Sequence, residues 1–251
     1  MCAEVLFDDA KLFKGIVSAI SAIVDEATIK VDPNEGLKLS ALEPAKTAMV
    51  QLVLPPDVFS EFKVESEGYY TINFKDFEKV LKRIKGANSV KLEFTESRLV
   101  VSSVADYRKT FRLPLLVGEP FEMKSPKVEF KSRLRMDSRK LPEIVGDLKL
   151  MGSDVRISID SEKAVFKVES DRGESETVLT REDPAVMDIW SDEPSESMYP
   201  LSYLDKMAGP AKVVGEVRIE ISTERPMKMF YPIGGISEAG IIYYLAHVSE
   251  K

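Results

Sequence analysis

The sequence contains few of the residues that build covalent or metal-dependent sites. It has one cysteine, Cys2, and one histidine, His247, in 251 residues. One cysteine cannot form a disulfide within the chain, and a cysteine-based zinc site needs several thiolates close together. Neither a histidine cluster nor a cysteine–histidine nucleophile pair is available. We therefore expect no metal site and no cofactor, and a stability that comes from packing.

Long apolar runs and nucleotide-binding motifs are also absent. No run reaches the length of about 18 apolar residues that a transmembrane helix needs, and the residues after Met1 do not resemble a secretory signal. We expect a cytosolic or nucleoid-associated protein that does not bind membranes. No phosphate-binding loop is present, and Gly234-Gly235 lacks the spacing of a dinucleotide fingerprint. Acidic residues are plentiful, so a carboxylate pair for glycoside hydrolysis or a magnesium site stays open as an enzymatic alternative.

The charge of the chain limits how it can meet nucleic acid. Charged residues make up 31% of the sequence, whereas Asn and Gln are scarce, a balance that favours a thermophilic source. The net charge of −7 opposes attraction to phosphate over the whole surface. Two possibilities follow: either the protein does not contact DNA, or its cations are gathered on one surface.

Alternation of apolar and polar residues predicts short strands in both halves of the chain. The predicted strands are 28–31, 37–41, 48–54, 90–94, 98–102, 107–113, 128–134, 155–159, 164–168, 176–180, 217–222, 227–231 and 241–246. Helical spacing of apolar residues predicts four helices. They are 8–24, 73–85, 137–151 and 200–211, and Asn73 is the expected N-cap of the second.

The order helix, strands, helix, strands occurs twice, with a shift of roughly 128 residues, and this indicates a duplicated domain. A segment with repeated Pro and Gly separates the halves and prevents regular structure there. We therefore predict an N-terminal domain at 1–114, a connecting loop at 115–127 and a C-terminal domain at 128–251. The apolar residues of the loop indicate that it lies against the body of the protein.

The predicted helices and the residues beside them concentrate cations in an otherwise acidic chain. If these helices lie on one side of a β layer, they form a positive surface that contacts phosphate without reading bases. The alternative is a set of solvated helix faces, in which lysine needs no ligand. The candidate DNA-binding residues are Lys11, Lys14, Lys75, Lys79, Lys82, Arg83, Lys85, Arg139, Lys140, Lys149, Lys206 and Lys212.

Several blocks of sequence, in order, resemble those of the proliferating cell nuclear antigen (PCNA) family, the DNA sliding clamps of archaea and eukaryotes. These blocks are 10–14 (AKLFK), 36–43 (GLKLSALE), 49–52 (MVQL), 73–82, 106–107 (DY) and 243–246 (YYLA). The resemblance implies an α+β fold of two similar clamp domains, with antiparallel sheets outside and helices lining the central hole of a trimeric ring.

The same resemblance implies a non-enzymatic processivity factor that encircles duplex DNA without sequence preference. Its implied partners are other clamp subunits, identical or paralogous, together with a DNA polymerase, a clamp loader, a flap endonuclease and a DNA ligase. The implied location is the cytoplasm, on the nucleoid, for an archaeal protein and the nucleus for a eukaryotic one. The alternative is a β-rich interaction scaffold that never encircles DNA.

Two protein-binding sites are also carried over from the family. The first is an apolar pocket for partner peptides, at Leu42, Met49, Phe121, Met123, Ser125, Pro126, Pro226, Tyr244, Leu245 and Ala246. Here His247 follows Ala246, where family members usually have proline. The second is a subunit interface between two edge strands, at Tyr107, Arg108, Lys109, Phe111, Arg112, Glu174, Glu176, Val178, Leu179 and Thr180. The basic residues of one strand suit the acidic residues of the other.

Overall fold

The computed structural model describes residues 3–86, 88–105, 107–118 and 125–249. The chain forms two compact units. The first consists of Met1–Glu43, Val50–Lys124 and Pro232–Ile241, and the second of Pro44–Met49, Ser125–Tyr231 and Ile242–Lys251. In the middle of the chain the division falls after residue 124, within the predicted connecting loop.

Antiparallel strands form most of the first unit. They are β1 Ala3–Phe7, β2 Glu26–Asp32, β3 Gly36–Leu42, β4 Ala48–Leu54, β5 Glu61–Lys63, β6 Gly68–Asn73, β7 Val90–Phe94, β8 Arg98–Val104 and β9 Arg108–Pro114. One sheet has the order β5-β1-β7-β8-β9. A second set of hydrogen-bonded strands has the order β4-β3-β2-β6. Two helices accompany them, α1 Ala10–Ser21 and α2 Phe74–Arg83.

The second unit repeats this arrangement. Its strands are β10 Ser132–Asp137, β11 Asp154–Ile159, β12 Lys163–Ser170, β13 Gly173–Thr180, β14 Val186–Ser191, β15 Ser195–Pro200, β16 Glu216–Ile221, β17 Met227–Pro232 and β18 Gly240–Leu245. Their orders are β14-β10-β16-β17-β18 and β13-β12-β11-β15. The helices are α3 Leu141–Met151 and α4 Leu201–Met207.

The predicted duplication is confirmed by topology. Each half runs strand, helix, five strands, helix, three strands, and corresponding strands occupy the same positions in the two sheet orders. In this correspondence β4 matches β13, and β9 matches β18. Low residue identity between the halves hides this repeat, because a sheet requires only that apolar residues recur on its buried face.

Helices α1 and α2 begin where the sequence supplies side-chain caps. The Asp9 carboxylate accepts a hydrogen bond from the Leu12 N–H at 2.8 Å, and the Asn73 side chain accepts one from the Asp76 N–H at 3.0 Å. These caps satisfy N–H groups that have no partner within the first helical turn. The prediction of Asn73 as an N-cap is confirmed.

Three predicted boundaries are corrected. The first helix ends at Ser21 instead of residue 24. The fourth ends at Met207, because Gly209 and Pro210 open a separate 3-10 turn, Gly209–Lys212. The third begins with a 3-10 turn, Ser138–Lys140, before Leu141.

The sequence patterns missed five strands, β1, β5, β6, β14 and β15. In β15 the buried positions include Ser195 and Ser197, so the strand does not show an apolar alternation. In β14 a register shift opposite Arg135 and Met136 disturbs the period of two. The predicted strand 128–134 begins only at Ser132.

The start of the predicted connecting loop lies on the first unit. The Leu115 N–H donates to the Ser97 carbonyl and the Leu116 N–H to the Thr71 carbonyl, both at 2.9 Å. Val117 is fully exposed, and residues 119–124 of the predicted loop lie outside the described residues. Among the residues that the structure describes, no helix is both long and apolar enough to cross a membrane.

Aromatic packing holds α1 and α2 together. The Phe13 and Phe77 rings lie 6.0 Å apart between centroids, and both side chains are buried. We expect Phe77→Ala to lower the free energy of unfolding by about 3–5 kcal/mol, because a cavity replaces the ring. Urea denaturation measures this change. Lys79→Ala, an exposed change on the same helix, is the control, and equal effects of the two variants would contradict the packing assignment.

Candidate functional site

The first unit carries a basic surface on its helix pair. Helix α1 has two lysines and no acidic residue, and α2 has four cations and two acids. The α2 cations, together with Lys11 and Lys85, are exposed, whereas Lys14 donates a hydrogen bond to the Ile84 carbonyl. Lys75 similarly donates to the Ser21 carbonyl at 2.7 Å. These bonds anchor the two lysines to the ends of the neighbouring helices.

Part of this positive charge is balanced locally. Lys79 lies 2.9 Å from Asp76, and Lys82 lies 2.9 Å from Glu78. Burial raises the pKa of Glu78, but hydrogen bonds from Ser18 and Lys82 outweigh burial, so the net pKa is lowered and the carboxylate stays charged. Lys11, Arg83 and Lys85 form no ion pair within the described residues, and they are the cations of this surface most available to a phosphate.

The helices of the second unit are less basic than the sequence analysis predicts. Helix α3 has one lysine against two acids, and α4 has one lysine and one aspartate. Lys149 forms an ion pair with Asp205 at 2.6 Å, which neutralises the facing sides of these two helices. Lys206 lies 5.3 Å from the ring centre of Tyr203.

The remaining cations of the second unit flank the helices. Arg139 and Lys140 lie in the turn before α3, and Lys212 lies in the turn after α4. Arg139 binds the Asp137 carboxylate at 2.6 Å, and Lys140 lies 3.6 Å from Glu143. Lys212 is exposed and forms no ion pair in the described part of the chain. The first unit therefore carries the larger excess of cations on its helices, and the DNA-binding surface stays a prediction.

The predicted peptide pocket divides into buried and accessible residues. Met49 and Leu245 are 3% and 1% exposed, and Tyr244 is also buried, so these side chains belong to the packed interior of this chain. The other positions are accessible or lie outside the described residues. Leu42, Pro126, Pro226 and Ala246 are partly exposed and Ser125 is exposed, whereas Phe121 and Met123 lie outside the described residues.

The backbone beside this pocket is fixed within the second unit. The Ala246 N–H donates to the Thr47 carbonyl at 2.8 Å, and the Val248 N–H donates to the Met198 carbonyl at 2.8 Å. His247, between them, is partly buried and borders a shallow groove that Glu196 and Glu224 also line. The pocket itself stays a prediction.

Both strands predicted to form the subunit interface stand at the ends of their sheets. In the sheet orders, β9 is the last strand of the first unit's five-stranded sheet, and β13 is the first strand of the second unit's four-stranded sheet. Arg108, Arg112 and Glu176 are exposed, and none of them forms an ion pair within the described residues. Tyr107 is 64% exposed, and Lys109 lies 5.0 Å from the centre of its ring.

One exposed apolar residue beside β13 was missed. Leu150, on α3, is 67% exposed, and α3 packs against β13, whose Val178 is 42% exposed. The helical period could have revealed Leu150. It places Leu148 on the buried face, so the leucine two positions later points away from that face.

No group of three or more His, Cys, Asp and Glu side chains capable of holding a metal occurs among the described residues. The candidate sites are therefore the basic helix surface, the apolar peptide pocket and the end strands β9 and β13.

The comparisons with known proteins identify the family. The repeated order of elements and the two open-ended sheets define a protein of two similar α+β domains. The family models of the N-terminal and C-terminal domains of proliferating cell nuclear antigen match residues 2–113 and 124–248. The chain belongs to the PCNA family.

Relatives match over nearly their whole length. The DNA polymerase sliding clamp of Thermococcus onnurineus is 32% identical over 244 residues, 97% of each chain, and that of Pyrococcus abyssi is 31% identical over 249 residues, 99% of each chain. The crystal structure of PCNA from Thermococcus kodakaraensis has a TM-score of 0.92 and 27% identity, covering 98% of this chain and 100% of that chain. A PCNA2–PCNA3 complex from Sulfolobus tokodaii shares the fold, with a TM-score of 0.90 and 24% identity.

The Asp137–Arg139 contact makes a testable electrostatic prediction. Hydrogen bonds from the Arg139 side chain and backbone lower the pKa of Asp137 from 3.8 to about 2. Because the folded-state pKa lies below the unfolded one, the stabilisation is present above about pH 4 and disappears as the pH falls towards 2. We expect Asp137→Asn to flatten the pH dependence of the free energy of unfolding in that range, as measured by urea denaturation.

The control is Asp147→Asn, which removes an exposed carboxylate of α3 that forms no ion pair among the described residues. It should leave the slope near that of the parent protein. Parallel curves for the Asp137 variant and the parent would contradict the assignment.

Proposed function

We propose that this protein is a subunit of a DNA sliding clamp, a closed ring that encircles duplex DNA and holds other enzymes on it. Membership of the PCNA family and the match to archaeal DNA polymerase sliding clamps over whole chains support this function. The ring consists of three subunits in this proposal. Two strands at the ends of their sheets, β9 and β13, support a ring, because each offers an edge to another subunit.

The proposed contact between subunits joins β9 of one copy to β13 of the next. Strands β13 and β9 stand at sheet ends, with outer N–H and C=O groups available to another chain. A β13–β9 contact between two copies would satisfy both edges, and the position of these two strands at sheet ends is the single observation that carries the proposed assembly.

Side-chain charge favours the same pairing. Exposed Arg108 and Arg112 lie on β9, and exposed Glu174 and Glu176 lie on β13. Opposite charges on two different surfaces favour a head-to-tail contact, which closes into a ring when the rotation between subunits permits. Leu150 and Val178 would add apolar area beside β13.

The basic helices would face the DNA in this proposal. Their lysines attract phosphate without reading bases, so the contacts centre the duplex and leave the ring free to slide. The chain's net charge of −7 disfavours tight adhesion, and a closed ring does not need it. Lys11, Arg83 and Lys85 are the strongest candidates, because none of them has an acidic partner in the described part of the chain.

Client enzymes would dock through the partly exposed residues of the peptide pocket. A DNA polymerase, clamp loader, flap endonuclease or DNA ligase held on the ring gains a high effective concentration at DNA. This tethering role requires no catalytic residues of its own, so we propose that the protein is not an enzyme. We place it in the cytoplasm on the nucleoid, in keeping with its archaeal relatives.

The edge-strand contact can be tested by exchanging charges. We expect Glu174→Lys with Glu176→Lys to weaken assembly on the order of tenfold or more, because like charges then meet at the contact. Analytical ultracentrifugation over a concentration series measures the trimer. We expect the parent protein to have the mass of three chains.

The matched control reverses the opposite strand as well. Adding Arg108→Glu and Arg112→Glu to the first pair of changes should restore assembly, because the charges are then complementary again. A parent protein that is monomeric at all concentrations would favour the scaffold that never encircles DNA. Failure of the fourfold variant to recover would argue against pairing of β9 with β13.

The DNA contact can be tested separately from assembly. We expect the ring, placed on nicked circular DNA by a clamp loader, to remain through gel filtration and to slide off when the circle is cut. Lys11→Gln with Arg83→Gln and Lys85→Gln should leave the trimer intact. These changes should lower the salt dependence of DNA binding by about 0.9 in the log–log slope for each phosphate that the variant no longer neutralises.

The matched control removes three exposed cations outside the helices, through Lys127→Gln, Lys163→Gln and Arg172→Gln. If both triple variants change the salt slope equally, the helical surface is not the DNA-binding surface. If the parent protein is retained equally on circular and linear DNA, topological retention is refuted.

A further inference from the structure

The second unit has a sheet face that contains none of the candidate site residues named above. It is formed by β14, β10, β16 and β17, and we call it the tryptophan face. One row of paired positions runs Trp190, Arg133, Glu220, Lys228 across the four strands. Trp190 is 43% exposed, which is unusual for the largest apolar side chain of a packed domain.

The next row of the same face contains two arginines side by side. Its paired positions are Asp188, Arg135, Arg218 and Phe230. Arg135 and Arg218 are directly opposite each other on neighbouring strands. Like charges in opposite positions of an antiparallel pair are unfavourable unless an anion lies near them.

Three of the four cations on this face are balanced by acids. Arg133 lies 3.1 Å from Asp188, and Lys228 lies 2.8 Å from Glu220. The Arg135 Nε lies 2.9 Å from Glu216. These contacts leave the face with one additional positive charge.

The additional charge belongs to Arg218. This side chain forms no ion pair within the described residues, and its guanidinium lies 5.5 Å from the centre of the Phe230 ring. Its Nε is buried and lacks a hydrogen-bond acceptor, and so does the Nε of Arg133. The Arg218 side chain as a whole is partly exposed, so a partner's carboxylate would bind the terminal nitrogens of its guanidinium and not the buried Nε.

Apolar surface lies beside these donors. Met187, at the register shift of β14, is 51% exposed and lies three residues before Trp190 on the same strand. Tryptophan, methionine and arginine are enriched where proteins bind one another. The Arg133 guanidinium lies 5.6 Å from the centre of the Trp190 ring, which helps to hold the indole in position.

We propose that the tryptophan face docks an acidic segment of a partner protein. A carboxylate of the partner binds at Arg135 and Arg218, and an apolar side chain of the partner packs on Trp190. This site lies on strands other than β9, β13 and the strands of the peptide pocket, so it extends the proposed clamp function and does not depend on it.

The acids on the face select a peptide over nucleic acid. Asp188, Glu216 and Glu220 lie among the cations, so a continuous run of phosphates would meet repulsion along both rows. A single carboxylate beside an apolar side chain avoids these acids. The site therefore fits a segment with isolated acidic residues next to apolar ones.

Trp190 is the only tryptophan of the chain, so its fluorescence reports on this face alone. The probe is a blocked synthetic pentapeptide, Leu-Asp-Phe-Asp-Leu, titrated into the full-length protein. We expect a saturable change in Trp190 emission. The same peptide with Asn in place of Asp should bind at least about tenfold more weakly, because it cannot form the charged hydrogen bonds.

Protein variants locate the binding residues. We expect Arg218→Gln and, separately, Arg135→Gln to weaken binding of the acidic peptide by about tenfold, whereas Arg172→Gln, an equal loss of charge away from the face, should leave binding unchanged. Circular dichroism checks the fold of each variant. The comparison of the two peptides on the parent protein stands even if Arg218→Gln does not fold.

Three outcomes would overturn the proposal. The first is no saturable emission change up to millimolar peptide. The second is equal binding of the Asp and Asn peptides. The third is an Arg218-dependent emission change with single-stranded oligothymidylate but not with the acidic peptide, which would make this face a nucleic-acid site.

Discussion

The unpaired edge of a β-sheet is the constraint on which this structure depends. Each domain ends a sheet in a strand whose outer N–H and C=O groups need partners, and such an edge attracts another strand. Duplication gives one chain two copies of each kind of edge. Strands β13 and β9 stand at such sheet ends, and in the proposed assembly each pairs with a second copy. A ring follows from repetition of one contact and needs no additional type of interface.

Charge is distributed in keeping with such an assembly. The chain is acidic as a whole, but the helix pair of the first domain is basic, and β9 and β13 differ in sign. Many helical lysines share their charge with a nearby acid, as Lys149 does with Asp205. Weak phosphate contacts suit a protein that is retained on DNA by its closed shape, because strong ones would stop it from sliding. The tryptophan face shows a different balance, in which Arg218 alone lacks an acidic partner among the described residues.

The sequence predicted most of the elements whose residues alternate cleanly and missed β15, whose buried positions include two serines. The Asn73 cap and the buried face of α2 could be predicted from the sequence, because a helix cap and the spacing of apolar residues are local properties. Strand β15 could not be, because Ser195 and Ser197 face the interior, where partners on other strands bond their hydroxyl groups. Met49 and Leu245 show a second way in which sequence patterns fall short. Both were predicted to line a pocket but are buried in the folded chain, because apolar periodicity does not distinguish the residues of a pocket from those of a core.

By itself, the sequence determined the two-part organisation, the helix positions and the local concentration of cations, because these depend on the spacing of residue types along the chain. Its resemblance to a known family added the expected function. The tertiary structure alone decided which cations are balanced, which strands end a sheet and which aromatic residues remain exposed. These properties arise from contacts between residues distant in sequence, such as Arg135 with Glu216 and Lys149 with Asp205, and no local pattern specifies them.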